Sequence, residues 1–386
     1  MSTRRTICVV TGSRADYGLL RSLLRAIAED QRLVLQIVAT GTHLSPEFGM
    51  TREEIEADGF TVEAEVEMLL SADSAVATAK SMGLAVLGFA EVLARLAPDI
   101  LVVLGDRVEI LAAAETALVL RIPIAHIHGG ELSEGAFDDS IRHAVTKLAQ
   151  WHFVAAPPYR RRVEQMGESP DRVFDVGAPG LDDLAAVEWL DRAALADALG
   201  MTLGEPLLLV TYHPVTLGAE DPRRPTAELL AALETMADAT IVFTYPNADT
   251  GGRAVRRDLE RFAGAAPGRR RVFASLGRQR YLSLMRTADV VVGNSSSGVI
   301  EAPALKKATV NIGDRQRGRL RAGSIIDVPE RRDEIARAIR LALSDRFRQR
   351  LAATVSPYGQ GDAGRRIKDH LKTVPLAVVK SFCDVS

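Results

Sequence analysis

Three imidazoles, three carboxylates and a guanidinium are packed into two short motifs, His126-Ile127-His128-Gly129-Gly130-Glu131 and Asp138-Asp139-Ser140-Ile141-Arg142-His143. Imidazoles and carboxylates at this density suit proton transfer to and from a bound molecule. A purely structural loop rarely needs so many ionisable groups. The first motif ends the apolar run Ile122–Ile127, which predicts a strand, and the second opens a helix-patterned stretch. In open α/β sheets, the carboxyl end of a strand is where ligands bind.

Four more polar segments stand where apolar runs end. Gly105-Asp106-Arg107 follows Ile-Leu-Val-Val-Leu, and Tyr212-His213-Pro214-Val215-Thr216 follows Leu-Leu-Leu-Val. Asp106 can cap the helix after it, and Arg107 can make charge-assisted hydrogen bonds to a phosphate or carboxylate. The first strand runs into Thr11-Gly12-Ser13-Arg14-Ala15-Asp16-Tyr17-Gly18, a turn that carries a cation. A valine-rich strand runs into Gly293-Asn294-Ser295-Ser296-Ser297-Gly298, with Glu301 just beyond. Backbone amides at a helix start, its positive dipole end and the serine hydroxyls together suit a diphosphate. A carboxylate at Glu301 suits ribose hydroxyls. The plainer reading is that Ser295 or Ser296 caps the helix and Glu301 completes a capping box.

These residues need a scaffold that presents strand ends side by side. Short apolar runs such as Leu33–Thr40, Ile100–Leu104 and Ala308–Ile312 alternate with helix-period segments along the chain. Strands apolar throughout predict sheets covered on both faces. Two such βαβ series predict an α/β protein of two Rossmann-like doubly wound domains facing each other across a cleft. The expected division is residues 1–180, carrying the acid/base cluster, and 181–360, carrying the second strand-end set. Residues 361–386 then supply a C-terminal helix that returns to the first domain, and a tail.

Length and composition agree with a soluble enzyme. At 386 residues the chain exceeds what one core usually serves. Forty-eight basic against fifty acidic residues leave a net charge of −2, which points to neither nucleic acid nor an anionic membrane as partner. Two cysteines make no disulfide framework. No signal segment or apolar run of transmembrane length is evident, so the cytoplasm is the expected compartment. No Gly-x-Gly-x-x-Gly turn or Walker loop is present, which argues against nicotinamide or ATP chemistry.

Taken in order, the motifs at 11–18, 105–107, 126–131, 138–143, 213–216, 246–251 (Pro-Asn-Ala-Asp-Thr-Gly), 294–298 and 311–316 (Asn-Ile-Gly-Asp-Arg-Gln) resemble the hydrolysing UDP-N-acetylglucosamine 2-epimerases. Among these they are most similar to the bacterial branch serving sialic and legionaminic acid pathways. The resemblance runs from about residue 6 to about residue 370. It implies the two-domain GT-B architecture and a redox-neutral reaction with neither cofactor nor metal. UDP leaves as the C2 proton is removed, and water then adds at C1 of the glycal while C2 is protonated from the opposite face.

By motif match the resemblance implies Asp106, Glu131 and Asp138 as acid/base carboxylates, and His213 as the group assisting the leaving phosphate. It places Arg14, Arg107, His213, Asn247, Ser295, Ser296, Glu301 and Arg315 against UDP. His128 stands where several family members have a carboxylate. Either Glu131 takes over that duty or the His128 imidazole performs it. The leading substrate is UDP-N-acetylglucosamine, and the alternative is UDP-2,4-diacetamido-2,4,6-trideoxy-glucose. A non-hydrolysing epimerase and a GT-B glycosyltransferase are the other readings. The family resemblance also implies a homodimer or homotetramer.

Overall fold

The computed structural model describes residues 4–72, 74–132, 137–185, 187–213, 223–246, 252–359 and 361–384. The chain forms two compact units. Unit 1 comprises Met1–Glu131, Asp138–Ala185 and Tyr358–Ser386, and unit 2 comprises Leu132–Phe137 and Ala186–Pro357.

Unit 1 is built on strands β1 (Arg5–Thr11), β2 (Leu33–Thr40), β3 (Ala64–Val66), β4 (Ile100–Leu104), β5 (Ile124–Ile127), β6 (Trp151–Val154) and β7 (Val173–Asp175). They lie in the order β3-β2-β1-β4-β5-β6-β7, with every pairing parallel. Parallel neighbours require crossovers, and helices supply them: α1 (Arg14–Ala28), α2 (Arg52–Ala57), α3 (Ala75–Leu96), α4 (Val108–Val119), α5 (Asp138–Leu148) and α6 (Pro157–Gln165). Ser13 begins α1 by accepting a hydrogen bond from the Asp16 amide at 3.3 Å. The apolar stripe of α1 (Leu20, Leu23, Leu24, Ile27) then packs on Ile7 and Val9 of β1. Each such buried side chain contributes roughly 1.5–3 kcal/mol.

Unit 2 has its own parallel sheet: β8 (Leu207–Thr211), β9 (Thr240–Thr244), β10 (Arg270–Phe273), β11 (Val290–Gly293), β12 (Ala308–Ile312) and β13 (Ile325–Val328), in the order β10-β9-β8-β11-β12-β13. Its helices are α7 (Arg192–Leu199), α8 (Arg223–Glu234), α9 (Gly252–Gly264), α10 (Gly277–Thr287), α11 (Ser297–Ala304), α12 (Arg332–Leu343) and α13 (Asp345–Leu351). Strand β8 shows why such strands read as apolar throughout. Leu208 and Val210 face the core made by α8 and α12, while Leu207 and Leu209 face the core made by α7 and α10. The last helix, α14 (Ala363–Leu371), belongs to unit 1 and lays Ile367 and Leu371 into the same core as α1.

Two Rossmann-like doubly wound α/β domains were therefore correctly expected. The expectation that no segment reaches transmembrane length needs correcting. Helix α3, with 22 residues and a mean hydropathy of 1.5, is long and apolar enough to cross a membrane by length and composition. It packs against α4 and β3, and its buried stripe runs Ala77, Ser81, Ala85, Phe89 and Leu93. Its alanines and its Val, Leu, Met and Phe residues give it that hydropathy, but Gly, Ser, Thr, Lys and Glu are interspersed, so no unbroken apolar run stands out in the sequence.

Both sheets reverse their winding at one place, between β1 and β4 in unit 1 and between β8 and β11 in unit 2. Such reversals open a crevice at the strands' carboxyl ends. The segments at 11–18, 105–107 and 293–298 and His213 leave those strands, and the segment at 126–131 leaves β5, next to β4.

Candidate active site

In unit 1 the node is Arg142, which α5 buries to 1 % exposure. Its Nη2 donates to Asp106 Oδ2. Its Nη1 donates to the His128 carbonyl at 3.0 Å and stands 3.8 Å from Glu131 Oε2. One planar guanidinium thus ties the loop after β4 to the loop after β5, a task suited to its fork of donors. Asp138 opens α5 one turn before Arg142 and so shares that helix face.

The loop after β5 has a forced shape. His128 sits at φ +67° and Gly130 at φ +76°. A side chain at Gly130 would run into the Tyr159 carbonyl, so this close turn requires glycine. His128 Nδ1 is hydrogen bonded to Glu131 Oε1. His126 instead points back into the sheet, donating from Nε2 to the Gly105 carbonyl at 2.8 Å, with Nδ1 3.2 Å from the Thr146 hydroxyl. Burial drives its pKa down to about 3 against that carbonyl's opposing pull. It is a neutral strut beneath the Asp106 turn.

A second group of charges adjoins the turn after β1. Arg107 Nε bonds Glu109 Oε1 at 2.7 Å, and Glu109 is buried against Gly12, which leaves room for it only because it lacks a side chain. Asp16 is buried as well. Desolvation holds its carboxyl up at about 6, with Arg107 pulling it down and Glu109 and Asp106 pushing it up. His43, hydrogen bonded to Thr11 at 2.9 Å and Thr51 at 2.8 Å, is lowered to about 4, chiefly by burial. Arg14 is paired with Glu54 at 2.9 Å.

In unit 2 the centre is Asn294, fully buried after β11. Its Oδ1 accepts from the His213 amide at 2.7 Å, and its Nδ2 donates to the His213 carbonyl at 2.8 Å. Arg315 and Gln316 donate in turn to the Asn294 carbonyl, at 3.2 and 2.9 Å. Gly293, at φ +133°, lies so close to the Thr211 carbonyl that no side chain fits. Ser295 Oγ lies 3.0 Å from Ser297 Oγ, which bonds the Tyr281 hydroxyl at 2.5 Å. Burial raises the Tyr281 pKa, and Glu301 pushes in the same direction.

The capping-box reading does not fit this helix start. Ser296 occupies the cap position of α11 without a side-chain cap bond, and Glu301 lies in the second turn. Hydroxyls and helix amides gathered at one strand end suit a diphosphate, and the buried Glu301 carboxylate beyond them suits ribose hydroxyls.

The structure therefore gathers Asp106, His128 and Glu131 around Arg142, with Arg107 on the adjoining Glu109. It gathers His213, Ser295 and Arg315 around Asn294, with Ser296 and Glu301 on the helix that follows. Asn247 lies outside the described residues. Arg142, Asp16, Glu109, Asn294 and Tyr281 were not assigned roles from sequence. Arg142 sits in a quoted motif, and Glu109 is an acid inside the otherwise apolar start of α4, so both left a trace. Among the described residues no group of three or more His, Cys, Asp or Glu side chains is arranged to hold a metal ion.

Comparison with known proteins extends this picture. The family model described as UDP-N-acetylglucosamine 2-epimerase matches residues 25–372. A Campylobacter jejuni protein named GDP/UDP-N,N'-diacetylbacillosamine 2-epimerase (hydrolyzing) is 42 % identical over 325 residues, 84 % of this chain and 84 % of that protein. A Legionella pneumophila protein named UDP-N,N'-diacetylbacillosamine 2-epimerase (hydrolyzing) is 36 % identical over 373 residues, 96 % and 97 % of the two chains. The crystal structure of a Neisseria meningitidis UDP-GlcNAc 2-epimerase bound to UDP-GlcNAc superposes with a TM-score of 0.77 at 16 % identity, covering 95 % of this chain and 99 % of the other. At that identity the likeness concerns the fold.

Proposed function

Because the chain belongs to the UDP-N-acetylglucosamine 2-epimerase family, we propose that it is a hydrolysing 2-epimerase of a UDP-2-acetamido sugar. It releases UDP and the free 2-acetamido sugar of manno configuration. The observation that most supports this reading is the Arg142 node, which collects Asp106, His128 and Glu131 at the carboxyl ends of β4 and β5.

The reaction inverts C2 and breaks C1–O without oxidation. As the C2 proton is taken up by a base, the C1=C2 double bond forms and the C1–O electrons leave with the diphosphate. Water oxygen then bonds C1, and C2 receives a proton from the other face. Acid/base groups are needed at more than one position, and Asp106, Asp138 and the hydrogen-bonded pair His128 and Glu131 supply them. His213 assists the departing phosphate, while Arg14, Arg107, Asn247, Ser295, Ser296, Glu301 and Arg315 serve UDP. In this reading the enzyme works in the cytoplasm, as a homodimer or homotetramer, and needs no cofactor.

Two sugars fit. UDP-N-acetylglucosamine is the substrate suggested by the family's name. The 2,4-diacetamido-2,4,6-trideoxy analogue is favoured by the Campylobacter and Legionella relatives, both named for N,N'-diacetylbacillosamine. A pocket that hydrogen bonds the 6-hydroxyl rejects the deoxy sugar strongly, so the two are separable. UDP release is measured with each sugar nucleotide at matched concentrations. The sugar with the higher kcat/KM is the substrate, and no release from either overturns the proposal.

A further inference from the structure

His128 is tied down at every polar atom but one. Its amide donates to the Phe153 carbonyl at 3.0 Å, its carbonyl accepts from Arg142 at 3.0 Å, and Nδ1 is hydrogen bonded to Glu131. Nε2 is buried and, among the described residues, has no hydrogen-bond partner. The residue is 5 % exposed and holds φ at +67°, where side chains other than glycine's are uncommon. Buried polar atoms are almost always satisfied, so an orphan on a residue otherwise fully held points to a ligand that completes it.

The partner carboxylate is placed differently. Glu131 is 1 % exposed, with Oε1 on His128 Nδ1 and Oε2 facing Arg142 at 3.8 Å. A carboxylate on one ring nitrogen fixes the tautomer, directs the other nitrogen and favours the imidazolium once a proton arrives.

Resting on the hydrolysing-epimerase reading above, we propose that His128 Nε2 is the base that takes the C2 proton, and that Glu131 is a positioning residue acting through the imidazole. The Nε2 lone pair accepts the C2 proton, the C–H electrons form the C1=C2 bond, and the C1–O electrons leave with the diphosphate. The imidazolium is stabilised by Glu131 and returns its proton to solvent after product leaves. The charged and titratable groups facing His128 are Glu131, Arg142, Asp106 through Arg142, and His126.

Two variants test this. His128→Asn keeps a donor where Nδ1 stands and tolerates the left-handed backbone, but removes Nε2. Its kcat is expected to fall about 10²–10⁴-fold, with wild-type melting temperature and UDP affinity. Glu131→Gln keeps the neighbour and removes its charge. Its kcat is expected to fall less, and the acid limb of its kcat/KM profile to move to lower pH, because a base less prone to protonation stays active there. A structural role alone would not move that limb.

If His128→Asn keeps near-wild-type turnover while Glu131→Gln abolishes it, Glu131 is the base and the proposal is overturned. An unmoved acid limb in Glu131→Gln overturns the positioning role. Wild-type protein that releases no UDP from either sugar nucleotide fails at the earlier step and overturns the functional reading instead.

Discussion

Asn294 and His213 are locked together by a reciprocal pair of hydrogen bonds across the reversal point of unit 2. The Asn294 side chain receives the His213 amide at 2.7 Å and donates to the His213 carbonyl at 2.8 Å. The two residues are 81 positions apart in the chain. The bond pair fixes the backbone from which the His213 side chain projects. Asn294→Ala removes both of these buried bonds, at a cost of about 1–3 kcal/mol each. A urea titration is expected to show that loss, and turnover is expected to fall because Asn294 no longer fixes the His213 backbone. Unchanged stability and unchanged turnover would remove Asn294 from the account.

Arg142 makes the corresponding link in unit 1. Arg142→Met takes the buried cation away from Asp106 and Glu131, and breaking one side of a buried pair costs about 3–5 kcal/mol. The loops after β4 and β5 also lose their common tie, and misplacement of reacting groups by about 1 Å can cost 10²-fold in rate. Arg142→Lys restores the charge but cannot span Asp106 and the His128 carbonyl together, so it is expected to recover stability better than turnover. Equal recovery of both would contradict the bridging role.

Buried histidines set how unit 1 responds to acid. Burial lowers His126 to about 3 and His43 to about 4 from an ordinary value of 6.5. The unfolded chain therefore binds protons that the folded chain refuses, and stability falls as pH drops from about 6.5 towards about 4. Asp16 opposes this. Its carboxyl, held up at about 6, takes a proton in the folded state first and favours folding as pH falls through that value. Two histidines, lowered to about 4 and about 3, outweigh the one aspartate raised to about 6. Urea midpoints across this range should fall with pH, less steeply in His126→Gln and more steeply in Asp16→Asn. A wild-type midpoint flat across the window would refute the assignment.

Much of the scaffold was legible because its strands are buried on both faces. Leu33–Thr40, Ile100–Leu104 and Ala308–Ile312 form strands with the bounds their apolar runs suggest. Strand β3 escaped notice because it is three residues at a sheet edge, Ala64–Val66, with Glu65 exposed between two buried neighbours. The motifs at strand ends were legible by residue type. Their fixings were not, since Arg142 reaches Asp106 across 36 residues and Asn294 reaches His213 across 81. The pairing of Arg14 with Glu54, 40 residues on, was hidden for the same reason. A run of three serines likewise does not say which of them meets Tyr281 of α10, whose hydroxyl is hydrogen bonded to Ser297.

The central claim is that this chain cleaves C1–O of a UDP-2-acetamido sugar while inverting C2 through a glycal. The most direct measurement is proton NMR of the protein with UDP-N-acetylglucosamine, and separately with the 2,4-diacetamido-2,4,6-trideoxy analogue, in D₂O. The account predicts UDP together with a free manno sugar carrying deuterium at C2. Product that retains the C2 proton, or a manno sugar still attached to UDP, would contradict it.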